Sequence, residues 1–211
     1  MKKKNKAIYL LFLMPFVYFA TACFVVWLVK TSGIYPSGSD TMYHVYRGDY
    51  VYNAIKSGNW YPLYDPAWYN GVEILRYWSP FPAYVMAFCQ YLAGGSQFGA
   101  YLFYIGGVCF LGACVWPFIG RGFNRPYMGA FIGLLWFFMP NNLCAIFIEG
   151  NLARSLSMIF LPVFIYSVYK YLYNHKLRYI PLMVFTFLLM ELCHLGYAGM
   201  VAIAVILYGI V

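Results

Sequence analysis

The chain reads as all-α: a polytopic transmembrane helical bundle with interfacial helices in a long first outer loop. Three observations predict this. Of 211 residues, 64% are hydrophobic and 9% charged, against about 25% charged in a soluble domain. The apolar residues fall in runs of spanning length. The charges are also sorted. Lys2-Lys3-Lys4-Lys6, Arg121 with Arg125, and Lys170 through Lys176 to Arg178 are basic clusters without an acid. Apolar runs separate them from all six carboxylates: Asp40, Asp49, Asp65, Glu73, Glu149 and Glu191. Lys and Arg gather on the cytoplasmic side of spanning helices. The sorting therefore predicts a multi-pass plasma-membrane protein with a cytoplasmic N-terminus and its acids outside.

The first span is expected over 7–29, running outward. Its apolar stretch of about 20 residues is spanning length and longer than a signal-peptide core, so it reads as uncleaved. The outer loop follows over 30–97. Within it, 40–57 reads as a helix that Ser39 or Asp40 can cap and Gly58-Asn59 stops. Residues 80–93 are apolar but too short for a span, which suits an interfacial helix. Spans are then expected over 98–119, 127–147, 155–173 and 179–195, with a sixth starting from 197. The chain stops inside that apolar run, so the rest of the polypeptide is expected to be missing and 1–211 to be the N-terminal part of one membrane-embedded domain.

The net charge of +8 does not point to nucleic acid, because the bases sit in membrane-flanking clusters and not along one face. The 23% aromatic content suits an interfacial belt. The loop aromatics, including Trp60, Tyr61, Trp68, Tyr69, Tyr77 and Trp78, could equally stack on sugar rings. The six cysteines fit no zinc spacing. They read as small buried hydrophobes, or as the source of one outer disulfide.

Three constellations could carry chemistry. Asp40, His44 and Arg47 share one helical face with Val51. There Asp40 could accept a proton from an attacking hydroxyl, Arg47 could grip a phosphate, and His44 could do either or share a divalent metal with Asp40. The plainer reading is a capping Asp and an intrahelical ion pair on a solvated face. Glu149 and Arg154 flank the next outer turn, and Arg154 is either a snorkelling anchor or a phosphate ligand. Glu191 and His194 lie within an apolar span, where ionisable groups usually face a cavity or a partner. Their alternative is a mutually hydrogen-bonded structural pair.

The stretch Ser39–Ala93 resembles the first outer loop of GT-C membrane glycosyltransferases. It has an Asp just past the first span (Asp40), a surface helix to Ser57, then Gly58-Asn59-Trp60-Tyr61-Pro62 and Tyr77-Trp78-Ser79-Pro80-Phe81-Pro82. More closely, the chain is similar to the bacterial membrane proteins called 6-pyruvoyl-tetrahydropterin synthase-related. Those share an Asp-x-x-x-His start (Asp40, His44), a charged outer turn opening a helix with Leu161-Pro162, and a span ending in His194. The family's outer turn often reads Arg-Gly-x-x-x-Glu, whereas here Glu149 precedes the glycine and Arg154 follows it.

The resemblance implies a bacterial inner or cell membrane and a glycosyltransferase using a polyprenyl-phosphate-linked sugar. Asp40 would be catalytic. His44, Arg47, Arg154, Glu191 and His194 would be substrate contacts, with a divalent metal open. Membrane lipid is the expected partner. The rival expectations are a proton-coupled lipid or polymer transporter built on Glu191 and His194, and a non-catalytic structural membrane protein.

Overall fold

The structure, a computed structural model, describes residues 2–36 and 38–210. Nine α-helices carry the described chain: α1 (Lys2–Ser32), α2 (Thr41–Lys56), α3 (Phe81–Leu92), α4 (Gln97–Gly122), α5 (Pro126–Leu135), α6 (Pro140–Leu143), α7 (Leu152–Asn174), α8 (Ile180–Cys193) and α9 (Leu195–Ile210). Among the described residues there is no β-strand; Asp65 and Val72 form one isolated antiparallel bridge. Among the described residues, four segments are long and apolar enough to cross a membrane: Phe12–Ser32, Gln97–Gly122, Pro126–Ile148 and Leu152–Asn174. The side chains of the N-terminal lysine cluster lie outside the described residues.

The third of these segments departs from the single helix expected over 127–147. It ends as α-helix at Leu135, passes through a 3₁₀ turn at Trp136–Phe138, restarts as α6, and closes in a π-helical turn at Cys144–Ile148. Pro140 explains the break, because the residue before proline is pushed out of helical backbone. Met139 accordingly sits at φ −62, ψ 122. The expected span over 179–195 appears as the 14-residue α8. At about 1.5 Å per residue that helix is about 21 Å long, short of the roughly 30 Å hydrocarbon core.

The main core joins α1, α4, the broken third segment and the first half of α7, around Tyr18, Tyr101, Tyr104, Ile105 and Trp136. Close backbone approach makes this packing possible: a Cβ on Gly120 or Gly129 would collide with the other's backbone, joining α4 to α5. A second cluster (Val51, Ile74, Leu75, Ala83, Ala87) glues α2 to α3 and the intervening loop. A third binds α7, α8 and α9 through Phe164, Val168, Met190 and Ala198.

The charge sorting is reproduced as two ends of the bundle. At one end Lys170 Nζ donates to the Gly122 carbonyl, 2.8 Å away, joining two basic clusters. At the other, the Asp40 N–H donates to the Glu149 carbonyl (3.0 Å). Asp49 accepts from Gln90 Nε2 (2.6 Å), and Ser79 Oγ donates to the Glu191 carbonyl (2.8 Å).

Candidate functional site

A cavity of about 830 Å³ opens at the acidic end. Asp40, Tyr43, His44 and Arg47 of the α2 face form one wall, with Trp68, Tyr69, Tyr77 and Trp78 of the loop beside them. Asn151 and Ala153 at the start of α7, and Cys193 to Gly196 around the α8–α9 break, close the far side. Asp40, His44, Arg47 and His194, which the sequence singles out separately, thus meet in one place.

Backbone geometry holds the two walls together. Ser39 Oγ and the Asp40 N–H both donate to the Glu149 carbonyl (3.1 and 3.0 Å). Gly150 adopts φ +67, and a Cβ there would strike Thr41 and Gly38. A glycine is therefore required by conformation and by space at once. Tyr104 OH anchors the first residue of α7 by donating to the Leu152 carbonyl (2.9 Å).

Arg47 is the most unusual group. It is 2% exposed and the largest of the most deeply buried side chains. Its Nη2 donates to the carbonyls of Trp78 and Ser79 at 3.3 and 3.4 Å. Its Nε has no partner, and among the described residues no carboxylate pairs with it. The Tyr43 ring lies 5.4 Å away as a cation–π neighbour. Burial lowers its pKa, yet a guanidinium stays charged at neutral pH. A buried charge without an opposite partner costs several kcal/mol, roughly. The plainer expectation of an ion pair on a solvated face is therefore overturned: the face is buried and the pair does not form.

His44 is buried, and its pKa is lowered to about 3 by that burial, by the Arg47 charge and by His194. It is a neutral imidazole at physiological pH, which removes it as a cationic grip on phosphate. Asp40 precedes α2 but its side chain makes no capping bond; its Oδ1 accepts from Ser39 Oγ (3.2 Å) and is exposed at the cavity. Among the described residues no group of three or more His, Cys, Asp or Glu side chains converges. A divalent ion held by Asp40 and His44 would take its other ligands from substrate or water.

Two expected contacts stand apart. Arg154 turns to Glu149 in a two-pronged pair, Nη1 to Oε2 at 2.8 Å and Nη2 to Oε1 at 3.0 Å, and does not line the cavity. Glu191 does not line it either. Among the described residues no hydrogen bond joins Glu191 to His194, so the expected structural pair is not formed. The reason is local. The chain leaves the helix at His194 (φ −156, ψ 94), so the i, i+3 proximity of a continuous helix is lost. His194 instead accepts the Tyr197 N–H at Nδ1 (3.0 Å) and lies 3.3 Å from Asn151 Nδ2.

Asn151 is the site residue that sequence reasoning missed. Its side chain caps α7 by accepting the Arg154 N–H (2.9 Å). The signal available was an Asn directly before a helix, which ordinarily reads as a cap and nothing more.

Residues 75–211 match the family model described as 6-pyruvoyl-tetrahydropterin synthase related domain, a membrane protein family. The match includes Asn151 and His194 but begins after Asp40, His44 and Arg47. No curated protein and no solved structure matches the chain. With well over half its length covered by that model and four helices able to cross a bilayer, this chain belongs to the 6-pyruvoyl-tetrahydropterin synthase related family of multi-pass membrane proteins.

Proposed function

We propose that the protein is a GT-C-like glycosyltransferase that takes a sugar from a polyprenyl-phosphate-linked donor at the outer face of the membrane. An acceptor hydroxyl attacks the anomeric carbon and its proton passes to the Asp40 carboxylate. The bond from that carbon to the phosphate oxygen breaks, and its electron pair leaves with the polyprenyl phosphate. Arg47 supplies the positive charge opposite the departing phosphate. Tyr43, Trp68 and Trp78, whose rings pack edge to face, offer apolar faces to the sugar. The N-terminus is cytoplasmic in this reading, since the basic clusters gather at the end opposite the cavity.

The observation that carries this reading is Arg47. A buried, unpaired guanidinium at the wall of a large cavity makes sense if a ligand anion is its partner. The rival reading, a proton relay through Glu191 and His194, has no supporting contact, since among the described residues no hydrogen bond joins the two side chains.

The test uses the full chain in proteoliposomes with a panel of radiolabelled polyprenyl-phosphate hexoses and an extracted envelope glycan. The native protein should move label to the glycan. Asp40→Asn should slow this by about 10²–10⁴-fold, the usual contribution of a general base. Undiminished transfer by Asp40→Asn, or no transfer from any hexose, would reject the proposal.

A further inference from the structure

Around His194 donors outnumber acceptors. The Tyr197 N–H donates to His194 Nδ1, so a neutral ring carries its proton on Nε2. The Arg154 N–H donates to Asn151 Oδ1, which turns the Asn151 amide nitrogen toward the ring. Asn151 Nδ2 and His194 Nε2 then face each other at 3.3 Å, and both are donors. Exchanging the two ends of the Asn151 amide moves the mismatch to the Arg154 N–H. Moving the ring proton to Nδ1 moves it to the Tyr197 N–H, and adding a second proton leaves both contacts mismatched. No placement of protons satisfies all four groups.

Arg47 lines the same cavity, and its buried Nε has no partner among the described residues. The first turns of α7 and α9 also line it, through Ala153 and Gly196. Such turns leave N–H groups without intrahelical partners and carry the positive end of the helix dipole. These groups offer protons from both walls, whereas the Asp40 carboxylate beside them only accepts; a ligand suited to the donors accepts several hydrogen bonds and brings none. Phosphate oxygens do this; a sugar hydroxyl also donates and does not.

We infer that Asn151, His194 and Arg47, with the N-termini of α7 and α9, form the seat of a phosphate oxyanion. This rests on the transferase reading for the lipid origin of that phosphate, and on the donor mismatch for the seat itself.

Asn151→Asp tests it without removing the helix cap, because Asp caps as well as Asn. The new carboxylate accepts from both the Arg154 N–H and His194 Nε2–H. It therefore fills the vacant acceptor role from within the protein and repels an incoming anion. The full chain in nanodiscs of zwitterionic lipid is titrated with farnesyl phosphate, inorganic phosphate and, as a neutral control, farnesol. The native protein should bind a phosphate probe more tightly than farnesol. Asn151→Asp should weaken that binding at least about tenfold, or about 1.4 kcal/mol, while raising the ligand-free melting temperature. Tighter binding of farnesyl phosphate than of inorganic phosphate assigns the seat to a lipid headgroup; the reverse assigns it to free phosphate. Phosphate binding no tighter than farnesol, or unchanged binding in Asn151→Asp, overturns the inference. Asp40→Asn should lose transfer but keep phosphate binding, so failure of the base and failure of the seat are told apart.

Discussion

Two arginines at the acidic end of this bundle have opposite circumstances. Arg154, on the turn that opens α7, is met by both oxygens of Glu149. Arg47, on α2, is more deeply buried and meets only two carbonyls at long range. The turn neutralises its own charge; the α2 face does not. A charge that a protein already pairs serves its own architecture. One that it buries and leaves open is directed at something else. That contrast separates Arg154 from the cavity even though the sequence offers both as phosphate ligands.

The contrast is broken most severely by unseating the turn itself. Gly150→Ala forces a side chain into a left-handed backbone position and into Thr41 and Gly38. We expect a loss of about 3 kcal/mol, seen as a lower denaturation midpoint and as separation of the α2 wall from the α7 wall. A second effect, spread over several pH units, comes from acid. His44 has its folded pKa at about 3 and an unfolded value of about 6.5. The unfolded chain therefore binds a proton that the folded chain refuses between those values. Stability is full above pH 6.5 and falls as pH drops toward 3, by at most about 1.4 kcal/mol per pH unit. His44→Gln should flatten the slope of melting temperature against pH in that window and leave it unchanged above pH 7. The smallest effect belongs to the paired charges. A double-mutant cycle on Arg154→Met and Glu149→Gln should give a coupling of about 1 kcal/mol, reduced from a buried value because both side chains are partly exposed. A coupling near zero would mean that the turn's ion pair does not hold it.

Much of this arrangement was legible in the sequence. The helix expected over 40–57 is Thr41–Lys56, and the short apolar helix expected over 80–93 is Phe81–Leu92. Gly58 and Gly94-Gly95 stop the two helices and Pro82 opens the second, which is why these bounds are readable, although Asp40 makes no side-chain cap. The break at Met139–Pro140 was signalled by the proline, yet the apolar run continued through it and hydropathy masked it. Site residues divide in the same way. Asp40, His44 and Arg47 share a face because α2 is continuous, so spacing alone groups them. Glu191 and His194 obey the same spacing but not the same backbone, and only the extended conformation at His194 parts them. The meeting of α2 with Asn151 depends on a contact across 110 residues of sequence, Ser39 to Glu149, which no local pattern announces.

The most direct test of the account measures one variant in two ways. Arg47→Gln in nanodiscs should lose farnesyl phosphate affinity by about 10-fold or more, while its ligand-free melting temperature equals or exceeds that of the native protein, because an unpaired buried charge has been removed. Unaltered affinity together with a lowered melting temperature would show that Arg47 supports the fold and that no anion is its partner.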